Sequence, residues 1–148
     1  MATRVLVVED FEQFQRFICS TLGKKPDFQI VGEASDGLEA VRKAEALRPD
    51  LVMLDLGLPT LNGIEAARRI RKLCPDCAIL FVSQVSSAEA VREALSTGAA
   101  GYVLKTRATS DLLAAVEAVR EGRQFVSVGL LGQDLIDAPR PRRTLKEP

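Results

Sequence analysis

The sequence predicts an α/β fold: a doubly wound sandwich of parallel strands with helices on both faces. Three observations predict it. Five short apolar runs, at 4–8, 28–34, 51–54, 78–82 and 101–104, alternate with stretches whose apolar residues recur every three to four positions. The links between runs are short, which requires parallel strands joined by right-handed crossovers. The third run, Leu51-Val52-Met53-Leu54, is apolar at every position, as in a strand covered on both faces.

Arg4-Val5-Leu6-Val7-Val8 forms the first strand and runs into Glu9-Asp10. Phe11, Phe14, Phe17, Ile18 and Leu22 follow at helical spacing and read as a packing stripe, ended by Gly23 and Pro26. The run 28–34 is less apolar and suits a sheet edge. Ser35-Asp36-Gly37 leads into a helix with Leu38, Val41, Ala44 and Leu47 inward, broken by Arg48-Pro49-Asp50. After Asn62-Gly63, a third helix turns Ile64, Ala67 and Ile70 inward. Its Arg68, Arg69, Arg71 and Lys72 read as a solvated face rather than a nucleic-acid contact. The fourth strand ends at Ser83. Ser86-Ser87-Ala88-Glu89 fits a capping box opening a helix to about Thr97, which Gly98 ends. The fifth strand ends at Lys105, and a last helix carrying Leu112, Leu113, Val116 and Val119 stops near Gly122. Phe125-Val126-Ser127 is expected to tuck against the domain, which therefore spans 1–127. Residues 128–148 read as a short apolar turn (Leu130, Leu131, Leu135, Ile136) and a basic, Pro-rich tail or truncated linker, with no second domain.

Composition removes several function classes. Hydrophobic residues make up 47% of the 148, the level of a globular chain. Twenty basic and twenty acidic residues cancel, so no global field favours nucleic acid or an anionic membrane. No apolar run approaches the ~20 residues of a membrane span, and no leader-like segment opens the chain, so the expected compartment is the cytoplasm. The chain has no histidine, which excludes Ser-His-Asp and Cys-His nucleophiles and imidazole-ligated zinc. Cys74-Pro75-Asp76-Cys77 has C-x-x-C spacing but follows a helix and precedes a strand, the reverse of the redox arrangement. It reads as two small residues flanking a turn.

In an open α/β sheet, ligands bind beyond the carboxyl ends of the strands, where strand order reverses. Taking the order 2-1-3-4-5, a common one for doubly wound sheets, Glu9 and Asp10 come beside Asp55. Ser83 and Lys105 end the next two strands. Two unit charges ~4 Å apart repel by about 4 kcal/mol at an effective dielectric of ~20. One lysine offsets only part of that among three carboxylates. A hard divalent cation resolves the conflict, and Mg²⁺ takes one or two carboxylates together with phosphate oxygens. Asp55 is then the candidate nucleophile for an aspartyl phosphate. Lys105 neutralises phosphoryl charge, and the Ser83 hydroxyl hydrogen-bonds the attached phosphate.

These pieces together resemble a response-regulator receiver domain of two-component signalling. The resemblance rests on Val7-Val8-Glu9-Asp10, on the stretch from Pro49 to Asp55-Leu56-Gly57-Leu58-Pro59, on Asn62-Gly63, on Phe81-Val82-Ser83, and on Gly98-Ala99-Ala100-Gly101-Tyr102-Val103-Leu104-Lys105. It covers roughly residues 4–122. Asp55-Leu56-Gly57-Leu58-Pro59 and Gly122-Arg123-Gln124-Phe125-Val126-Ser127 look most like the NarL/FixJ-type subgroup. The resemblance implies a flavodoxin-like (βα)5 sandwich and a phosphorylation switch rather than a turnover enzyme. It implies that Asp55 accepts phosphate from a histidine kinase or phosphotransfer protein. Mg²⁺ would be held by Glu9, Asp10, Asp55 and the backbone carbonyl of Gly57, and Lys105 would pair with the phosphate. Ser83 would move toward the phosphoryl group while Tyr102 rotates inward behind it, biasing the face of the fourth helix, fifth strand and fifth helix. Neither direct nucleic-acid binding by this chain nor a membrane contact is implied, and homodimerisation is left open. Gln84 departs from the small residue many receivers carry after the switch serine, and a bulky amide there alters access to the phosphate.

Other readings fit less well. A haloacid-dehalogenase-type phosphatase wants a second aspartate where Gly57 stands. A flavin or nucleotide site wants a glycine-rich loop where Glu9-Asp10-Phe11 stands. The remaining alternative is a flavodoxin-like protein-binding module that is never phosphorylated.

Overall fold

The computed structural model describes residues 2–127. The expected turn and tail at 128–148 lie outside the described residues. Among the described residues, six strands and five α-helices alternate: β1 Thr3–Val8, α1 Glu12–Gly23, β2 Phe28–Ala34, α2 Gly37–Leu47, β3 Leu51–Leu54, α3 Gly63–Leu73, β4 Ala78–Ser83, α4 Ala88–Leu95, β5 Gly101–Leu104, α5 Ala108–Arg120 and β6 Phe125–Val126. One sheet holds all six in the order 2-1-3-4-5-6, every pair parallel. The expected five-strand order is present, and the segment expected to tuck against the domain does so as a sixth strand beside β5.

Strand alternation divides the core into two layers. Val5 and Val7 of β1, with Leu51 and Met53 of β3, pack with Ile18 and Leu22 of α1 and Leu112 and Val116 of α5. Leu6 and Val8, with Val52 and Leu54, pack on the opposite face with residues of α2, α3 and α4. β3 is flanked by β1 and β4 and covered on both sides, so all four of its residues are buried. That is why it carries no polar residue until its end.

Three local expectations need correction. Leu38 is 40% exposed rather than inward. The buried face of α2 is Gly37, Ala40 and Ala44, with Val41 and Leu47 partly buried. Gly37 sets that phase: a Cβ there would lie 1.9 Å from the Leu61 carbonyl oxygen, so the helix start presses on the loop after β3 and turns Leu38 away. Phe11 stands before α1 as its N-cap and is 56% exposed, whereas Phe14 and Phe17 are partly buried against the core. The cap of α4 is Ser87, whose hydroxyl accepts from the Ala90 N–H, one position later than expected. Glu89 thereby falls one position short of the reciprocal place in a capping box.

Cys74 and Cys77 flank a turn closed by the Cys77 N–H donating to the Cys74 carbonyl. Both are buried and free, and the Cys77 thiol donates to the Pro49 carbonyl at 2.9 Å. Burial pushes the Cys77 thiol well above its ordinary range, the condition of an unreactive structural cysteine.

β6 is held by more than its two residues. Ser127 donates its N–H to the Tyr102 carbonyl. Its hydroxyl accepts from the Leu104 N–H at 3.0 Å and donates to Asp111 Oδ2 at 2.8 Å. Burial raises the Asp111 carboxyl, but donors from Ser127, Arg107 and Ser110 outweigh it and hold it below the usual range. A depressed carboxyl stabilises the fold above its unfolded pKa, and that contribution disappears as pH falls through the folded value. Ser127→Ala is expected to cost about 1–2 kcal/mol at neutral pH. Urea unfolding at pH 7 and at pH 3 checks this: the gap between variant and parent should narrow at the lower pH.

Candidate functional site

The strand ends deliver the site. β1 runs directly into Glu9 and Asp10, and β3 into Asp55. The ladder continues past the strands, with the Asp55 N–H donating to the Val8 carbonyl at 3.3 Å and the Glu9 N–H to the Ala34 carbonyl at 2.9 Å. β4 ends in Ser83, and Lys105 opens a 3-10 turn, Lys105–Arg107, that follows β5. The chain must then climb from Asp55 into α3 at close quarters. A Cβ at Gly63 would lie 2.1 Å from the Asp55 carbonyl oxygen, so only glycine fits there. The loop between them is pinned to the start of α2 through Thr60. The Thr60 hydroxyl donates to Asp36 Oδ1 and accepts from the Leu38 N–H, and the residue has a φ of 64°.

Glu9, Asp10 and Asp55 each offer a carboxylate oxygen within 4.8 Å of the others. Glu9 is 2% exposed and Asp55 8%, while Asp10 faces solvent. The Lys105 ammonium bridges the two buried carboxylates, donating to Glu9 Oε2 at 2.8 Å and to Asp55 Oδ2 at 3.1 Å. The Phe11 N–H also donates to Glu9 Oε2, at 3.1 Å. Glu9 Oε1 is buried with no hydrogen-bond partner among the described residues. Burial pushes the Glu9 carboxyl above its ordinary value; the Lys105 hydrogen bond opposes this and the charge of Asp55 adds to it. Burial alone would lower the Lys105 ammonium, but its bonds and attraction to Glu9 and Asp55 outweigh that and hold it above its ordinary value.

A buried, unpartnered carboxylate oxygen is a costly feature that calls for a ligand. Glu9 Oε1 beside two further carboxylates is an all-oxygen donor set, which fits a hard cation such as Mg²⁺.

Ser83 and Tyr102 meet across one residue. The Val85 N–H donates to the Ser83 hydroxyl at 3.1 Å, and the Tyr102 hydroxyl donates to the Val85 carbonyl at 2.7 Å. The Tyr102 ring is fully buried, with its centroid 6.2 Å from that of Phe81. Burial raises the phenol above its ordinary value, with Ser83 opposing and Asp55 adding.

A cavity of about 620 Å³ opens over the strand ends, lined by Asp10, Phe11, Phe14, Asp55, Gly57, Ser83, Gln84, Val85, Lys105 and Thr106. The expected site residues therefore gather in one place: Asp10, Asp55, Gly57, Ser83 and Lys105 face the cavity, Glu9 lies behind them, and Tyr102 backs Ser83. Sequence reading missed Phe11, Phe14, Val85 and Thr106. The signal for the two phenylalanines was their place, one and four residues after Asp10.

The sequence matches the response regulator receiver domain over residues 5–117. The chain belongs to the response regulator receiver family. Domains of this family are phosphorylation switches rather than classical enzymes. Relatives are NarL/LuxR-type response regulators. The response regulator protein VraR of Staphylococcus epidermidis is 36% identical over 122 residues, covering 82% of this chain and 58% of that protein. The DNA-binding transcriptional activator DevR/DosR of Mycobacterium tuberculosis is 37% identical over 123 residues, covering 83% and 57%. The chain thus spans a little over half the length of these curated relatives. Among solved structures, a LuxR-family two-component response regulator from Aurantimonas sp. SI85-9A1 superposes with a TM-score of 0.85 at 29% identity, over 93% of this chain and 100% of that one. Among the described residues of this receiver domain, no helix is long and apolar enough to cross a membrane.

Proposed function

We propose that this receiver domain is the phosphoacceptor of a two-component phosphorelay in the cytoplasm. Asp55 takes a phosphoryl group from a phosphohistidine of a histidine kinase or phosphotransfer protein. Ser83 and Tyr102 pass the change to the face formed by α4, β5 and α5. The observation that carries the reading is the Lys105 bridge over Glu9 and Asp55 beside the unpartnered Glu9 oxygen.

An Asp55 carboxylate oxygen forms the new bond to phosphorus as the phosphorus–nitrogen bond to histidine breaks. The leaving imidazole nitrogen keeps the electron pair and takes a proton from solvent. Lys105, already on Asp55 Oδ2, exchanges that contact for a phosphoryl oxygen and neutralises charge on it. Glu9, Asp10 and Asp55, with the Gly57 carbonyl, are the proposed Mg²⁺ ligands. When bound, the ion supplies Lewis-acid neutralisation of the phosphoryl oxygens. The Ser83 hydroxyl turns from Val85 to the new phosphoryl group. Loss of phosphate is hydrolysis of the acyl phosphate by water, with Gln84 at the cavity wall governing access. The domain therefore acts as a switch with self-phosphorylation and autodephosphorylation only. A homodimer formed on phosphorylation is one output, read by size-exclusion chromatography.

The test is intact-protein mass after incubation with acetyl phosphate, with and without Mg²⁺. Wild type is expected to gain one phosphoryl group only with Mg²⁺, and Asp55→Asn to gain none while its unfolding free energy from urea titration stays within about 1 kcal/mol of wild type. An adduct that persists in Asp55→Asn overturns the assignment. No adduct in wild type favours an unphosphorylated protein-binding module.

A further inference from the structure

Lys105 has a third neighbour that the chemistry above does not use. A lysine ammonium is a compact charge on a flexible four-carbon stem, with three N–H donors. Glu9 Oε2 and Asp55 Oδ2 accept from it at 2.8 and 3.1 Å. The same nitrogen lies over the ring of Phe14, 4.8 Å from its centroid. That is within cation–π range, and the Lys105 side chain is only 15% exposed, so water screens the attraction little. Phe14 is itself held in place: it lies in the first turn of α1, and its ring centroid is 5.5 Å from that of Phe17, one turn on.

We propose that Phe14 is a positioning residue for Lys105: its ring face fixes where the ammonium is presented to an incoming phosphoryl group. The inference rests on Asp55 being the phosphoacceptor, and deepens that reading.

The two carboxylates cannot do this alone. Once a phosphoryl group is attached to Asp55 and a cation engages Glu9, both anionic partners of the ammonium have changed. The chemistry of the Phe14 ring does not change. A ring face attracts a cation without demanding one hydrogen-bond direction, so the ammonium can pivot from Asp55 Oδ2 to a phosphoryl oxygen without leaving the ring. Leucine at this position would fill similar apolar space but present no negative face. Tyrosine would keep the face.

The experiment compares Phe14→Leu and Phe14→Tyr by three readouts: the initial rate of phosphoryl uptake from acetyl phosphate at saturating Mg²⁺, the Mg²⁺ dissociation constant in the absence of acetyl phosphate, and the urea midpoint. Phe14→Leu is expected to slow uptake about tenfold, the equivalent of one well-desolvated cation–π contact. Phe14→Tyr is expected to stay within about twofold of wild type, and the Mg²⁺ constant and urea midpoint to be alike in the two variants. Combined with Lys105→Met, Phe14→Leu should add no further slowing. Uptake by Phe14→Leu as fast as wild type overturns the proposal. So does equal slowing by leucine and tyrosine, which marks a merely structural ring, and so does a full additional loss in the Lys105→Met background. These failures leave Asp55-dependent uptake by wild type intact. Absence of any wild-type uptake overturns the phosphoacceptor reading and this inference together.

Discussion

Lys105→Met is expected to destabilise the domain by about 2–4 kcal/mol without Mg²⁺, because removing one partner of a buried ion pair strands the other. Here two carboxylates are stranded, Glu9 at 2% and Asp55 at 8% exposure. Methionine keeps the unbranched apolar stem and lacks only the terminal ammonium, so the loss reports charge rather than packing. Millimolar Mg²⁺ should return most of the lost stability, since a ligand that binds only the folded state stabilises it by mass action. Urea unfolding with and without Mg²⁺ measures both effects. The recovery should be one-sided. With Mg²⁺ present the fold should be restored, but the response of Tyr102 fluorescence to beryllofluoride should remain weak, because a cation held by Glu9 and Asp55, as proposed, would not take the place of the lysine on the fluorides that stand in for phosphoryl oxygens. Equal losses with and without Mg²⁺ would show that Lys105 supports the fold rather than the charge balance of the site.

That balance was legible in the sequence because strand ends were. An apolar run that stops at an acid, a hydroxyl or a lysine marks both the end of a buried strand and the residue delivered there. Asp55 after Leu51–Leu54 and Ser83 after the fourth run are the clearest cases. Strand order is a property of the fold class rather than of any one residue pattern, and the sheet has that order through β5. What escaped depends on tertiary approach. β6 is only two residues long and exists because Ser127 finds Asp111 and the β5 backbone, a pairing that no local pattern encodes. Leu38 has the right spacing for an inward residue, yet contact at Gly37 sets the phase of its helix. Phe14 has the spacing of a core residue and does pack on the core, but its ring also carries Lys105 from far along the chain. Periodicity identifies which side of a helix is apolar. It does not distinguish a ring that only fills space from one that also holds a charge.

Ser83→Ala is expected to separate phosphoryl uptake from its transmission. Val85 lies between the two hydroxyls proposed as the switch pair: its N–H donates to Ser83 and its carbonyl accepts from Tyr102. If Ser83 turns to a phosphoryl group, the Val85 N–H loses its acceptor, the backbone at Val85 is released, and the Tyr102 hydroxyl must re-partner. Tyr102 is the sole tyrosine and the chain has no tryptophan, so intrinsic fluorescence reports this one ring. In wild type, beryllofluoride with Mg²⁺ should change that signal. In Ser83→Ala the acyl phosphate should still form on Asp55, detectable by mass, while most of the fluorescence change is lost. Tyr102 substitutions calibrate the cost of the buried end. Tyr102→Phe removes one hydrogen bond, about 1 kcal/mol. Tyr102→Ala empties a fully buried aromatic site and should cost about 3–5 kcal/mol. A full fluorescence change in Ser83→Ala would mean that Tyr102 senses the site without the serine, through Asp55 or the β5 backbone, and the two-hydroxyl relay through Val85 would have to be abandoned.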